Sequence, residues 1–164
     1  MSKTRMAASL TLALVLAAAV GTQMGLLEGQ RPTDLGVQDG RLKAPSETRN
    51  SVSSQARLVP EHPQHAYALI KPLPLKAGGP EASMAALKAV LAQTDGVRIV
   101  TERADYIHAE AQTPLMKFVD DVEFWLNPAE QVIEVRSASR LGREDFGKNR
   151  ERVEQLRAAY LAQP

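Results

Sequence analysis

The sequence predicts an α+β fold, an antiparallel sheet of about five strands in β-α-β-β-β-β-α order with helices on one face. Three observations carry this. Val97 to Arg103 and Tyr106 to Gln112 alternate apolar and polar residues, the period of a half-buried strand. Phe118 to Leu126 and Val132 to Arg140 flank a short loop, as the arms of a hairpin do. Two stripes at helical spacing, Met84/Leu87/Val90/Leu91 and Val153/Leu156/Tyr160, lie before and after these strands. Consecutive strands joined by tight turns pair antiparallel, which sets the domain apart from a doubly wound one.

The elements follow in order. Tyr67 to Ile70 reads as a short first strand, stopped by Pro72 and Pro74. Gly79-Pro80-Glu81 opens a helix, with proline in its first turn and an acid near the positive end of its dipole. Gly96 falls just past its end, and Ala104-Asp105 turns the next two strands. Residues 127–130 form the loop of the second hairpin, and Asn149 offers an N-cap to the last helix.

The domain, residues 66–164, is preceded by two segments of different character. Lys3 and Arg5 lead an uncharged run from Met6 to Leu27, so residues 1–27 read as a signal peptide or an N-terminal membrane anchor. Ala17-Ala18-Ala19 offers a cleavage site, and a basic start keeps the N-terminus inside. The expected location is the periplasm or the periplasmic side of the cytoplasmic membrane. Residues 28–65 read as an extended linker or arm, rich in Gly, Pro and Ser, with only Leu35, Val37 and Leu42 able to bury much among its first residues.

Composition narrows the function classes. Twenty basic residues against nineteen acidic ones create no field for nucleic acid. The absence of cysteine removes disulfides, thiol nucleophiles and thiolate metal sites. His62 and His65 straddle Pro63 in a loop, a poor arrangement for ligation, and no metal or other cofactor is expected.

The hairpin collects the chemistry. With Leu126 opposite Gln131, Phe124 faces Ile133, Val122 faces Val135, Asp121 faces Arg136 and Asp120 faces Ser137. Alternation then points Phe118, Val122, Phe124, Ile133 and Val135 to the core. Asp121, Glu123, Glu134 and Arg136 point outward, with His108 and Glu110 beside them. Asp120 falls on the buried side, where it needs a cation, and Arg140 or Arg150 could supply it. The ordinary account of these charges is a cross-strand ion pair and an anchor for the last helix. The functional account is a site for a small anionic ligand, with Asp120, Arg136, Ser137, Ser139, Arg140, Arg143, Asp145, Asn149 and Arg150 as candidates, because guanidinium forks match carboxylate and phosphate groups. Catalysis has weaker support. Asp120 and Asp121 point to opposite strand faces, and Ser137 with His108 lacks the Gly-x-Ser-x-Gly elbow.

Phe118 to Phe124, Val132 to Gly142 and Asp145 to Arg150 together resemble the signature of domain-of-unknown-function family 1499. Asp105 to Glu110 and Asn50 to Ser54 belong to the same resemblance, which covers most of residues 33–160. It implies a small exported or membrane-associated bacterial domain with no established activity. Many relatives carry a cysteine pair about an Asn-Cys-Val-Ser-Ser motif. Here Ser51 stands at the second cysteine and Ala44 or Pro45 at the first, so the arm must be held by backbone and hydroxyl contacts or be loose. The expectation is a non-catalytic envelope module whose partner is a membrane protein or a small anionic ligand. The alternatives are a small hydrolase-like enzyme using Asp120, Ser137 and His108, or a structural accessory of a membrane complex.

Overall fold

A computed structural model describes Thr11, Ala13, Leu14 and residues 20–163. Most of the predicted signal or anchor, residues 1–27, lies outside the described residues. Among those described, no helix is long and apolar enough to cross a membrane.

The fold is α+β, as the sequence predicts. Its strands are β1 (Ser51–Ser53), β2 (Leu73–Pro74), β3 (Val97–Arg103), β4 (Tyr106–Gln112), β5 (Val119–Asn127) and β6 (Val132–Ser139). Its helices are α1 (His65–Ala68), α2 (Gly79–Ala92) and α3 (Lys148–Ala162), with a 3-10 turn at Ser54–Leu58. β3 to β6 form an antiparallel meander, and β1 and β2 share the outer edge of β6.

The main core lies between the sheet and the two long helices. Val122, Phe124, Ile133 and Val135 from the central strands meet Met84, Leu87 and Leu91 of α2 and Val153, Leu156 and Tyr160 of α3. Burying such aliphatic and aromatic side chains stabilises the fold by roughly 1.5–3 kcal/mol each, before entropy is counted. Gly96 ties α2 to the sheet. Its backbone is left-handed (φ +74°), and a Cβ there would lie 2.8 Å from the Gln112 carbonyl, so only glycine fits the close approach.

Several expectations are corrected. The predicted strand at Tyr67–Ile70 is instead the single turn α1 followed by extended chain. The outer edge of β6 is occupied instead by Ser51–Ser53 and Leu73–Pro74. The hairpin register moves by two residues: Phe124 pairs with Val135, Asp121 with Ala138 and Glu123 with Arg136. Asn127 stays in the strand because its carboxamide oxygen accepts the Ala129 and Glu130 amides, leaving Pro128 to Gln131 as the loop. A two-residue shift preserves side-chain alternation, so the predicted faces survive. Phe118, however, is exposed, because strand pairing ends at a tight loop in which Thr113 bonds both backbone groups of Phe118.

The last helix also differs at its start. Gly147, left-handed at φ +81°, occupies the cap position assigned to Asn149. The capping acceptor is Asp145, whose carboxylate receives the Gly147 and Asn149 amides at 3.0 Å each.

Candidate functional site

The sheet divides the candidate residues into two groups. On the helix side, Ser137 donates to Asn149 Oδ1 at 2.5 Å, and Asn149 Nδ2 donates to Ser139 at 2.9 Å and to the Asn50 carbonyl at 3.1 Å. Asp145 caps α3 and accepts the Tyr67 hydroxyl, whose pKa burial and that carboxylate push up to about 12. Arg150 donates to the Tyr67 and Leu69 carbonyls. Asp120 is paired by Arg152 at 2.6 Å, in place of the expected Arg140 or Arg150. Arg152 stands over the start of β5, whereas Arg140 lies on the opposite face. These contacts lock the start of α3 and β1 to the sheet. Arg143 lies exposed in the loop between β6 and α3.

His108 lies on the other face, where its Nε2 contacts Asp121 Oδ1 at 2.8 Å. The sheet therefore separates it from Ser137 and Asp120, and no triad of these three assembles. Among the described residues, no group of three or more metal-ligating side chains is arranged to hold an ion.

The predicted outward face is polar but buried. Residues 31–58 cross it, so Glu110, Asp121, Glu123, Glu134 and Arg136 lie inside the molecule. Val37 and Leu42 pack on Tyr106 and Trp125 at one end. Each carboxylate is met by specific donors. Glu134 receives Arg57 at 2.7 Å, Ser54 at 2.5 Å and Asn127 at 3.2 Å. Glu123 receives the Tyr106 hydroxyl at 2.8 Å and the Gly36 amide at 2.7 Å. Asp121 takes a two-bond fork from Arg140 at 2.8 and 2.7 Å, and Glu110 is shared by Arg31, Arg98 and Arg140. Burial raises the pKa of Asp121, Glu110 and Glu134, but the arginine hydrogen bonds outweigh it and hold all three below the ordinary carboxylate range.

Arg136 is the exception. Its side chain is 4% exposed, yet its contacts are long: 3.5 Å to Glu123 and 3.4 Å to the Ala44 carbonyl. Charge-assisted bonds ordinarily close to about 2.7–2.9 Å. Burial accordingly pushes its guanidinium below the usual arginine range, against the pull of Glu123. Arg136 borders a cavity of about 290 Å³ between arm and sheet, lined also by Lys43, Asn50, Asp121, Ser139 and Arg140. Of its charged residues, three are cations and one is a carboxylate, and that carboxylate is already occupied by Arg140.

The family described as a protein of unknown function, DUF1499, matches residues 34–160. The chain belongs to this family. No curated protein and no solved structure matches it. The DUF1499 span begins within the arm, so the segment covering the polar face and the sheet beneath it fall in one family unit. Where the resemblance places the second cysteine, Ser51 accepts the Ser46 amide at 2.8 Å, a hydroxyl contact fastening the arm.

Sequence reading missed Arg31, Lys43 and Arg57, which complete this site. All three sit in a segment with no periodic pattern to place them. The one available signal was a surplus of strand carboxylates on a single face.

Two outcomes follow from the pairing. Arg57→Ala leaves Glu134 charged and buried and should destabilise by about 3 kcal/mol in denaturant unfolding, whereas Lys88→Ala, at an exposed pair with Glu102, should cost under about 0.5 kcal/mol. The lowered carboxylate pKa values add stability that is present above the unfolded-state values (4.5 for Glu, 3.8 for Asp) and lost as pH falls through the lower folded-state values. Unfolding midpoints from these groups should therefore hold constant between pH 8 and 6 and drop below about pH 4.

Proposed function

We propose that the chain is a non-catalytic binding module displayed outside the cytoplasmic membrane, and that it takes a small anionic ligand between arm and sheet. The observation that carries this reading is Arg136, a buried guanidinium with under-used donors facing a cavity of ligand size. A carboxylate or phosphate monoester supplies the in-plane acceptors that the guanidinium fork requires. Lys43 borders the opening from the arm and adds a second positive charge, itself shared with Asp34 at 2.7 Å.

The pairing of Asp121 with Arg140 and His108 does not favour turnover. Asp121 is held ionised by Arg140, and His108 is fixed against it, so neither is free to carry a proton to a substrate. The displayed location is supported by the basic start and uncharged run of residues 1–27.

Trp125 is the single tryptophan and lies on the arm side of the sheet, so its fluorescence reports on this face. Titration with small dicarboxylates and phosphate monoesters should perturb it saturably and raise the melting temperature. Arg136→Lys, which keeps the charge and loses the fork, should weaken binding about tenfold or more, equivalent to about 1.4 kcal/mol. Lys43→Ala should weaken binding without unfolding the domain, and Arg143→Gln should leave it unchanged. Binding that is indifferent to both Arg136→Lys and Lys43→Ala would sink the assignment.

Location has its own check. Alkaline phosphatase fused after Gln30 should be active in a bacterial host. A fusion that is made and inserted but inactive would refute display outside the membrane.

A further inference from the structure

One end of the sheet gathers exposed apolar side chains, set among Lys117, Arg143 and Glu144. Gln112 pairs with Val119 and Asp120 with Ser139, bringing three strand ends together, and the loops 113–118 and 140–147 leave from there. These loops expose Leu115 (76%), Met116, Phe118, Leu141 and Phe146 (88%). Phe118, Leu141 and Phe146 line one groove of about 270 Å³. Phe146 is held outward by a left-handed backbone, φ +52°, a conformation unfavourable for a bulky residue. The far end carries the turns at Ala104-Asp105 and Pro128 to Gln131, flanked by Glu102, Arg103 and Glu130. Several large apolar side chains exposed together on a small domain mark an interaction face.

The path of the chain says what covers it. The last part of the uncharged run, from Val20 to Leu27, meets the domain at this same end. Gln23 donates to the Leu115 carbonyl at 3.4 Å, and Gln112 donates to Glu28 at 3.2 Å. Gly29 packs so closely that a Cβ would lie 2.8 Å from Arg140 Cβ and 3.0 Å from Leu141 Cγ. Met24 and Leu26 on the entering segment are exposed alongside. A segment inserted in a bilayer would therefore draw these loops to the lipid surface, and the strand ends would set their depth.

We infer that the loops 113–118 and 140–147 are seated in the interfacial layer of the bilayer that receives residues 6–27, with Leu115, Phe118, Leu141 and Phe146 among the acyl chains. This rests on the reading of residues 1–27 as a membrane segment. Apolar and aromatic side chains at the headgroup boundary gain burial without the cost of spanning.

The absence of cysteine makes the test direct. Full chains carrying Leu115→Cys, Phe146→Cys or Glu130→Cys are labelled with an environment-sensitive fluorophore and reconstituted in phosphatidylcholine–phosphatidylglycerol vesicles. Labels at 115 and 146 should shift to the blue and be quenched several-fold more by doxyl-labelled lipid than the label at 130. Chains that float with vesicles while all three labels stay equally open to aqueous iodide overturn the seated face and spare the anchor. Chains that fail to float overturn both. Labels at 115 and 146 shielded from iodide yet untouched by doxyl lipid put protein over the face and also overturn the inference.

Discussion

A sheet buried on both faces must resolve the charge it carries inside, and that constraint governs this molecule. The helix face is resolved by aliphatic packing. The other face holds Glu110, Asp121, Glu123 and Glu134 within a few residues of one another. Unpaired, four buried carboxylates would unfold a domain of this size, since each costs several kcal/mol to desolvate. The cations that neutralise them come largely from elsewhere: Arg31 and Arg57 from the arm, Arg140 from beyond the end of β6. The arm is thus an electrostatic counterpart of the sheet, and its few apolar residues, Val37 and Leu42, add only a corner of packing.

That division explains what was legible in the sequence. Side-chain alternation is local, so both faces of β4, β5 and β6 could be assigned residue by residue. Helical stripes are local as well, and Leu87, Leu91, Val153, Leu156 and Tyr160 are buried where their spacing puts them. The cover on the polar face was not legible, because arm residues dock by long-range charge pairing that leaves no period in the chain. The same gap hid β1, whose Ser-Val-Ser composition says little about pairing until the edge of β6 is in place. The register error had a smaller cause, the capacity of Asn127 to end a strand and cap its own loop at once.

The candidate residues sort by the same logic. Asp120 is taken by Arg152; Ser137, Asp145 and Asn149 satisfy one another or a helix terminus, and their chemistry is spent on holding α3 and β1. Arg136 differs because it is enclosed with only long bonds, to Glu123 and the Ala44 carbonyl. Buried polar groups in native domains are seldom left so loosely bonded. The contrast between Arg140, forked onto Asp121, and Arg136, four residues earlier in the same strand direction, separates a structural arginine from one available to a ligand.

The arm contacts have one further property, which concerns assembly. Arg31–Glu110, Arg57–Glu134 and Gly36–Glu123 join residues 79, 77 and 87 apart in the chain. Closing a loop costs free energy that grows only logarithmically with its length, so these closures differ by about 0.1 kcal/mol. The first to form bears nearly the whole entropic burden, and the others then close over a much shorter remaining span. The arm consequently docks and releases as a unit, and the cavity beneath it opens in a concerted step that no single ion pair controls.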